Sequence, residues 1–403
     1  FEESHGLRAV DSSLAERFRS LIIHLAETSG QRVVVLIDEY DKPILDRIEQ
    51  REAALEIREA LKDFYSVIKD SDAHIRFAFL TGVSKFSKVS LFSGLNNLED
   101  ISIAAEYSTI CGYTDQDVDT VFAPELPGLD REEIRRWYNG YNWLGEAVYN
   151  PFDLLLLFQK RLFRPWWFET GTPTFLVKLL TERRQFTPDL ETVRAPESLL
   201  STFDVDTIPS EALMFQAGYL TVARADYFPG QLDLQLRYPN QEVKTSLNKS
   251  LLGALCGNPI TSAQSISLLH RLLQANDLAG IKDLFHGFFA SIPHDWYRNS
   301  PIAQYEGYWA SVFYSYFAAL GLDTILEDAT NHGRIDMAVR WLGQTWLFEF
   351  KVVELVPEGR ALQQLQAKGY ADKYRAEGPV HLVGVEFSRA SRNIVGFETQ
   401  TLH

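Results

Sequence analysis

The most informative patterning in the chain runs from Gly333 to Lys351, where apolar and polar positions alternate. Gly343-Gln344 separates two runs rich in Val, Trp, Leu and Phe, which predicts two strands joined by a two-residue turn. Alternation puts Glu349 and Lys351 on one face and Phe348 and Phe350 on the other, with Asp336 roughly opposite on the partner strand. The spacing predicts amphipathic helices on either side of this hairpin, from Tyr305 to Leu320 and from Ala361 to Tyr370. Near the other end, Val33 to Ile37 is an apolar run of β-formers closing on Asp38 and Glu39. A helix precedes it, with Ser13 and Glu16 as start signal and Gly30 as stop, and another spans 52–69. A second buried strand, Ile75 to Leu80, leads into Thr81-Gly82-Val83-Ser84-Lys85. A buried strand with a helix on either side predicts an α/β unit with a parallel sheet.

After Pro151 the pattern turns helical, and Trp166-Trp167-Phe168 near Gly171-Thr172-Pro173 marks a packed turn. A short helix over 211–217 ends at Gly218, and strands over 219–225 and 232–238 flank a loop holding Pro229-Gly230. Helix followed by a long-loop hairpin predicts a winged-helix module. Such a module can grip DNA or act as a rigid spacer or self-association surface. Without a dense Lys/Arg stripe, the spacer or self-association reading is favoured. Residues 246–298 read as a helical connector, bracketed by Ile292-Pro293 and Ser300-Pro301.

A chain of 403 residues with 46% hydrophobic content can bury two or three cores, so a multidomain globular protein is expected. The net charge of -15 argues against nucleic-acid binding by bulk attraction. It leaves room for a local groove lined by Lys351, Lys368 and Lys373. Cys111 and Cys256 form neither a zinc pattern nor a disulfide framework, which suits a reducing cytoplasm. No apolar run reaches the roughly 18 residues of a membrane span, so no membrane partner is expected.

Two carboxylates meeting on the hairpin, Asp336 and Glu349, can hold a Mg²⁺ ion that keeps several waters, which suits phosphate chemistry. Lys351 can then orient a water or stabilise developing charge. The competing reading is an edge strand whose Glu and Lys merely solvate it. The apolar run from Trp346 to Val353 argues for burial, where an ion pair is costly unless it serves something. Asp233 with Glu242-Val243-Lys244 fits the same acid plus Glu-x-Lys pattern, but Pro239-Asn240 breaks any strand just before that Glu. At the first site, acids at the carboxyl end of a central strand lie where ligands bind in such sheets. Asp38 would hold Mg²⁺, Glu39 would position a water, and Thr81 or Ser84 would sense a terminal phosphate. Alternatively, Asp38 and Glu39 only cap the following helix.

About the last quarter of the chain, the Gly333 to Lys351 hairpin with its flanking helices, resembles the PD-(D/E)XK nuclease superfamily, specifically the C-terminal domain found behind AAA-ATPase-like domains. Phe79-Leu80-Thr81-Gly82-Val83-Ser84-Lys85-Phe86-Ser87, Leu91 to Ile101, Trp137-Tyr138-Asn139-Gly140-Tyr141 and Val148-Tyr149-Asn150-Pro151-Phe152 resemble the AAA-ATPase-like family that accompanies it. The resemblance implies an α/β chain of four parts. These are a P-loop-type AAA-like ATPase domain over 1–160, with Walker B strand 33–39 and second-strand motif 75–87; a helical and winged-helix region over 161–245; a connector over 246–298; and a restriction-endonuclease-like domain over 299–403. It also implies catalytic roles for Glu306 on the helix before the hairpin and Gln364 on the helix after it. Ile335 stands where the superfamily's name has Pro, which leaves the metal-binding atoms untouched.

The phosphate loop Gly-x-x-x-x-Gly-Lys-[Ser/Thr] is absent, since no glycine here is followed by lysine. The expectation is a preceding segment that carries the first strand and that loop. A true loss of nucleotide binding competes with it. The leading functional expectation is an ATPase-coupled nuclease using ATP and Mg²⁺ or Mn²⁺, with DNA ahead of RNA as partner and room for a homo-oligomer. The alternatives are an ATP-regulated nucleic-acid-binding or signalling module with a non-cutting nuclease fold, and an ATPase with a structural C-terminal cap.

Overall fold

The structure, a computed structural model, describes residues 13–47, 50–83, 91–92, 95, 97–170, 176–177, 179–180, 190–191, 193–200, 209–255, 259–291, 306–330 and 333–403. The chain divides into two compact units. The first comprises Phe1–Ile110, Asn142–Ala147 and Val193–Arg237; the second comprises Cys111–Tyr141, Val148–Thr192 and Tyr238–His403. In chain order the first unit opens with α1 (Leu14–Ser29), β1 (Val33–Ile37), α2 (Arg51–Asp70) and β2 (Ile75–Leu80). The second takes α3 (Arg131–Tyr138), β3 (Asn139–Tyr141), β4 (Val148–Tyr149), α4 (Pro151–Lys160) and α5 (Trp166–Thr170). The first resumes with β5 (Arg194–Pro196), α6 (Ser210–Gln216), β6 (Thr221–Phe228) and β7 (Gln231–Arg237). The second closes with α7 (Gln241–Leu255), α8 (Pro259–Gln274), α9 (Leu278–Ser291), α10 (Glu306–Ala319), β8 (Asp323–Thr330), β9 (Gly333–Trp341), β10 (Gln344–Val353), α11 (Arg360–Ala367), β11 (Val380–Ser388) and β12 (Asn393–Leu402).

In the first unit, α1 starts and stops on the residues that the sequence marks. Ser13 Oγ accepts from Glu16 N at 3.2 Å, the Glu16 carboxylate accepts from Ser13 N at 3.0 Å, and Gly30 at φ 66° ends the helix. β1 and β2 pair in parallel from Val34↔Phe77 to Ile37↔Leu80, a pairing that needs the crossover supplied by α2. Val34, Leu36 and Phe77 are exposed on this two-stranded ribbon. A separate antiparallel sheet has the order β5-β7-β6, with α6 ahead of the β6–β7 hairpin and Gly230 at φ 78° in its turn.

The second unit is built on a mixed sheet in the order β12-β11-β10-β9-β8, in which only β10 and β11 pair in parallel. One face carries Trp346, Phe348, Phe350, Val383, Val385 and Phe387 against Phe285, Phe313 and Phe317 of α9 and α10. Burying each such aromatic side chain contributes about 1.5–3 kcal/mol. The opposite face carries Ala338, Leu347, Val380 and Leu382 under Leu365 of α11 and Tyr370, Ala371 and Tyr374 beyond it. The split of β10 into Phe348 and Phe350 on one side and Leu347 on the other follows the alternation read from the sequence.

The pattern match at Glu242-Val243-Lys244 lies on helix α7, where strand alternation does not operate. Glu242 is fully buried against Asp153 of α4. Asp153 Oδ1 accepts from Trp167 N at 2.8 Å and Glu242 Oε1 accepts from Phe168 N at 3.0 Å, while Asp153 Oδ2 and Glu242 Oε2 are buried. Burial raises the affinity of both carboxyls for a proton, and at Glu242 the neighbouring Asp153 adds to the rise. Lys244 instead pairs with Glu191 at 2.6 Å. Gly171-Thr172-Pro173, Ile292-Pro293 and Ser300-Pro301 lie outside the described residues.

Candidate active site

The β9–β10 turn is Leu342-Gly343, one residue earlier than the sequence suggests. Both residues have positive φ, 48° and 71°, as the tight hairpin turn that matches strand twist requires. Pairing runs from Trp341↔Gln344 to Phe348↔Met337, and Asp336 and Glu349 are the residues that follow this last pair on the two strands. Asp336 Oδ2 accepts from Phe350 N at 2.8 Å, which ties its carboxylate to the middle of β10. The Glu349 side chain is 1% exposed and that of Lys351 25%. Lys351 Nζ lies 3.0 Å from Glu349 Oε1 and donates to Phe350 O at 3.0 Å. Gln364 Nε2 donates to that same Glu349 oxygen. Asp336, Glu349, Lys351 and Gln364 are therefore brought together. Glu306 opens α10, and its side chain lies outside the described residues.

Two residues without a role in the sequence reading explain how Gln364 arrives. Gly384 is the lateral neighbour of Glu349 on β11, and a Cβ there would lie 2.4 Å from Leu362 N. Only a bare backbone lets α11 approach this closely. Glu386, the lateral neighbour of Lys351, is buried and accepts from Glu358 N at 2.5 Å, Arg360 N at 2.7 Å and Ala361 N at 3.4 Å. Its negative charge meets the opening turn of α11 and pins the helix over the sheet. The only sequence signal for Glu386 is an acid inside the apolar run Val380 to Phe387.

Tyr370, also buried, completes the wall. Burial raises its hydroxyl pKa, as do the charges of Glu349 and Asp336, while a hydrogen bond with Gln364 and the charge of Lys351 oppose the rise. Among the described residues, no group of three or more His, Cys, Asp or Glu side chains is placed to hold a metal ion. The pair Asp336 and Glu349 supplies hard oxygen donors of the kind that bind Mg²⁺ alongside waters and phosphate oxygens. The buried negative charge with a single ammonium beside it fits a cation at this spot.

In the first unit, Thr81 N donates to Ile37 O at 2.8 Å at the tips of the parallel strands. Thr81 Oγ1 donates to Asp38 Oδ1 at 2.5 Å, and that oxygen also accepts from Glu39 N at 2.9 Å. Asp38 and Thr81 are thus together, with Glu39 beside them at φ 51° and exposed. The following turn of helix, Lys42–Leu45, has no side-chain cap. Ser84 lies outside the described residues. Asp41 is fully buried, accepts from Val83 N at 3.2 Å and would sit 2.5 Å from a Cβ on Gly82. It fixes the segment after β2, and its charge adds to the burial that pushes Tyr65 up to about 12.

Residues 1–92 match the family described as "Predicted AAA-ATPase" and residues 304–397 the family described as "PD-(D/E)XK nuclease superfamily". An "Uncharacterized protein in vnfD 5'region" of Azotobacter chroococcum mcd 1 is 65% identical over 402 residues, covering 100% of this chain and 78% of that protein. The chain belongs to the AAA-ATPase-like proteins with a C-terminal PD-(D/E)XK nuclease superfamily domain. No solved structure matches it. The Asp336, Glu349 and Lys351 cluster lies inside the second matched segment, and Asp38, Glu39 and Thr81 lie inside the first. The superfamily match supports a nuclease-type hydrolase and a nucleic-acid substrate. No helix among the described residues is long and apolar enough to cross a membrane.

Proposed function

We infer that this chain is an ATPase-coupled, Mg²⁺-dependent nuclease that cleaves phosphodiester bonds in DNA. The observation that carries this reading is the convergence of Asp336, Glu349 and Lys351 on one hairpin, with Gln364 reaching the same carboxylate. Asp336 and Glu349 would hold Mg²⁺ or Mn²⁺. When bound, the ion supplies positive charge that polarises the scissile phosphate. Lys351 orients the attacking water and stabilises charge that develops on the phosphate oxygens. Gln364 and Lys351 together fix the Glu349 carboxylate, and Glu306, opening the helix that packs on the sheet, is assigned the supporting acid.

In the first unit, Asp38 is assigned to the Mg²⁺ of bound ATP and Glu39 to the attacking water, with Thr81 and Ser84 sensing the terminal phosphate. The order β5-β7-β6 with α6 ahead of its hairpin supports a winged-helix reading of the middle region. A reducing cytoplasm suits both chemistries and the two unclustered cysteines.

The test is incubation of the full chain with plasmid, single-stranded DNA and RNA in Mg²⁺ or Mn²⁺, beside Asp336→Ala and Lys351→Ala. The parent should give product, and either substitution should lower the rate by about 100-fold or more. Undiminished cutting by either variant removes the assignment. Retention of DNA without product by the parent would favour the non-cutting reading. ATP hydrolysis that survives Asp38→Ala would remove the nucleotide assignment.

A further inference from the structure

Between β10 and α11 the chain passes the rim of the site through the segment 354–359, and both ends of that passage are fixed. Glu354 O accepts from Ser388 Oγ at 3.0 Å and from Ala390 N at 3.2 Å. At the far end Glu386 takes the amides of Glu358 and Arg360. Pro357, with φ fixed by its ring, packs close enough that a Cβ on Gly396 would lie 3.2 Å from its own Cβ. Between these anchors Leu355 and Val356 stand 62% and 64% exposed. Each acid flanking them is matched by an arginine: Glu354 by Arg389 at 2.9 Å and Glu358 by Arg360 at 2.6 Å. The loop therefore presents a held apolar tip with neutralised flanks, which a polyanion can approach.

The tip is close to the chemistry. Leu355 is four positions beyond Lys351, a reach of at most about 14 Å even when fully extended. Nucleic-acid strands rise about 3.4 Å per nucleotide, so the tip lies within about four base steps of a phosphate held at Lys351. Aliphatic side chains at such a position are suited to entering a base stack, where they unstack one step and bend the duplex.

We propose that Leu355 and Val356 form an apolar wedge that enters the base stack of duplex nucleic acid beside the scissile phosphate. The proposal rests on the nuclease reading of Asp336, Glu349 and Lys351 and adds to it a substrate class, a duplex deformed at the cut. A substrate already open at that step gains nothing from the wedge.

The test compares Leu355→Ser/Val356→Ser with the parent on an intact duplex and on the same duplex with an unpaired bubble at the cut. Cutting of the intact duplex should fall about tenfold or more, while cutting of the bubble duplex stays within about twofold of the parent. A second readout needs no cutting. Asp336→Asn protein should raise the fluorescence of 2-aminopurine placed in the duplex, and the triple variant Asp336→Asn/Leu355→Ser/Val356→Ser should not. Equal losses on both duplexes, or no loss on either, overturn the wedge, as does cutting by the parent without any fluorescence rise. If the fluorescence rises and depends on the tip while no substrate is cut, the wedge stands and the nuclease reading falls. If the parent neither binds nor cuts, both fall. A change confined to self-association of the chain would assign the tip to a second copy and likewise overturn the wedge.

Discussion

Gln364 and Lys351 donate to the same oxygen, Oε1 of Glu349. One donor comes from the same strand and the other from a helix across a crossover, so the carboxylate is fixed by two elements that reach it independently. A buried carboxylate held in this way is preorganised for a cation rather than rearranged by it.

The first consequence is thermal. Mg²⁺ or Mn²⁺ at about 100 times its dissociation constant should stabilise the parent by about 2.7 kcal/mol. Melting curves with metal and with chelator should separate for the parent and coincide for Asp336→Ala. Coinciding curves for the parent would remove the metal assignment.

Lys351 should matter to stability as well as to cutting. Lys351→Ala strips an ammonium from a carboxylate that is 1% exposed, at a cost of about 1–3 kcal/mol. The lysine's own partial exposure places the value toward the low end. Adding Glu349→Gln should restore most of that stability and none of the cutting, as read by urea unfolding beside a cleavage assay.

Gly384→Ala should act at a distance from the chemistry. The added methyl meets the backbone of Leu362, and forcing it in costs about 1–3 kcal/mol. Because α11 must lift to accommodate it, Gln364 withdraws from Glu349 and cutting falls at temperatures where the variant is still fully folded. Parent-like cutting under those conditions would show that Gln364 is dispensable.

The Asp153 and Glu242 pair sets a pH dependence of stability. Both are held protonated more strongly in the folded chain than in the unfolded one: burial does this at each carboxyl, and the neighbouring Asp153 adds to it at Glu242. The stabilising contribution is therefore complete below the ordinary value of 4.5 for Glu242 and is lost as pH rises toward about 10. Glu242→Gln keeps a donor toward Asp153 and an acceptor for Phe168 N without the proton. It should stabilise the protein at pH 8 by about 1–3 kcal/mol and flatten the dependence between pH 6 and 9. Denaturant unfolding across that range measures it, and parallel curves for parent and variant would refute the raised proton affinity of Glu242.

What could be read in advance was whatever depends on local periodicity. Alternation sorted Phe348 and Phe350 from Leu347, because a strand's faces are fixed by its own sequence. The turn was read one residue late because Leu342, a residue with no special liking for positive φ, takes the first turn position ahead of Gly343. Gly384, Glu386 and Tyr370 gave little signal, since their work depends on β11 pairing in parallel with β10 and on α11 folding back across both. The Pro239-Asn240 break correctly removed Glu242 from any strand, yet nothing local announced its partnership with Asp153, which is distant in sequence.

The parallel pairing of β10 with β11 also sets a timetable. The β9–β10 hairpin closes over two residues, and ribbons of that kind form in about 1–10 μs. The crossover through α11 must wait for later strands to emerge and pay a larger loop-closure entropy. During synthesis the two acid-bearing strands consequently pair well before the clamp on Glu349 exists, and the finished arrangement is acquired only as α11 and β11 dock.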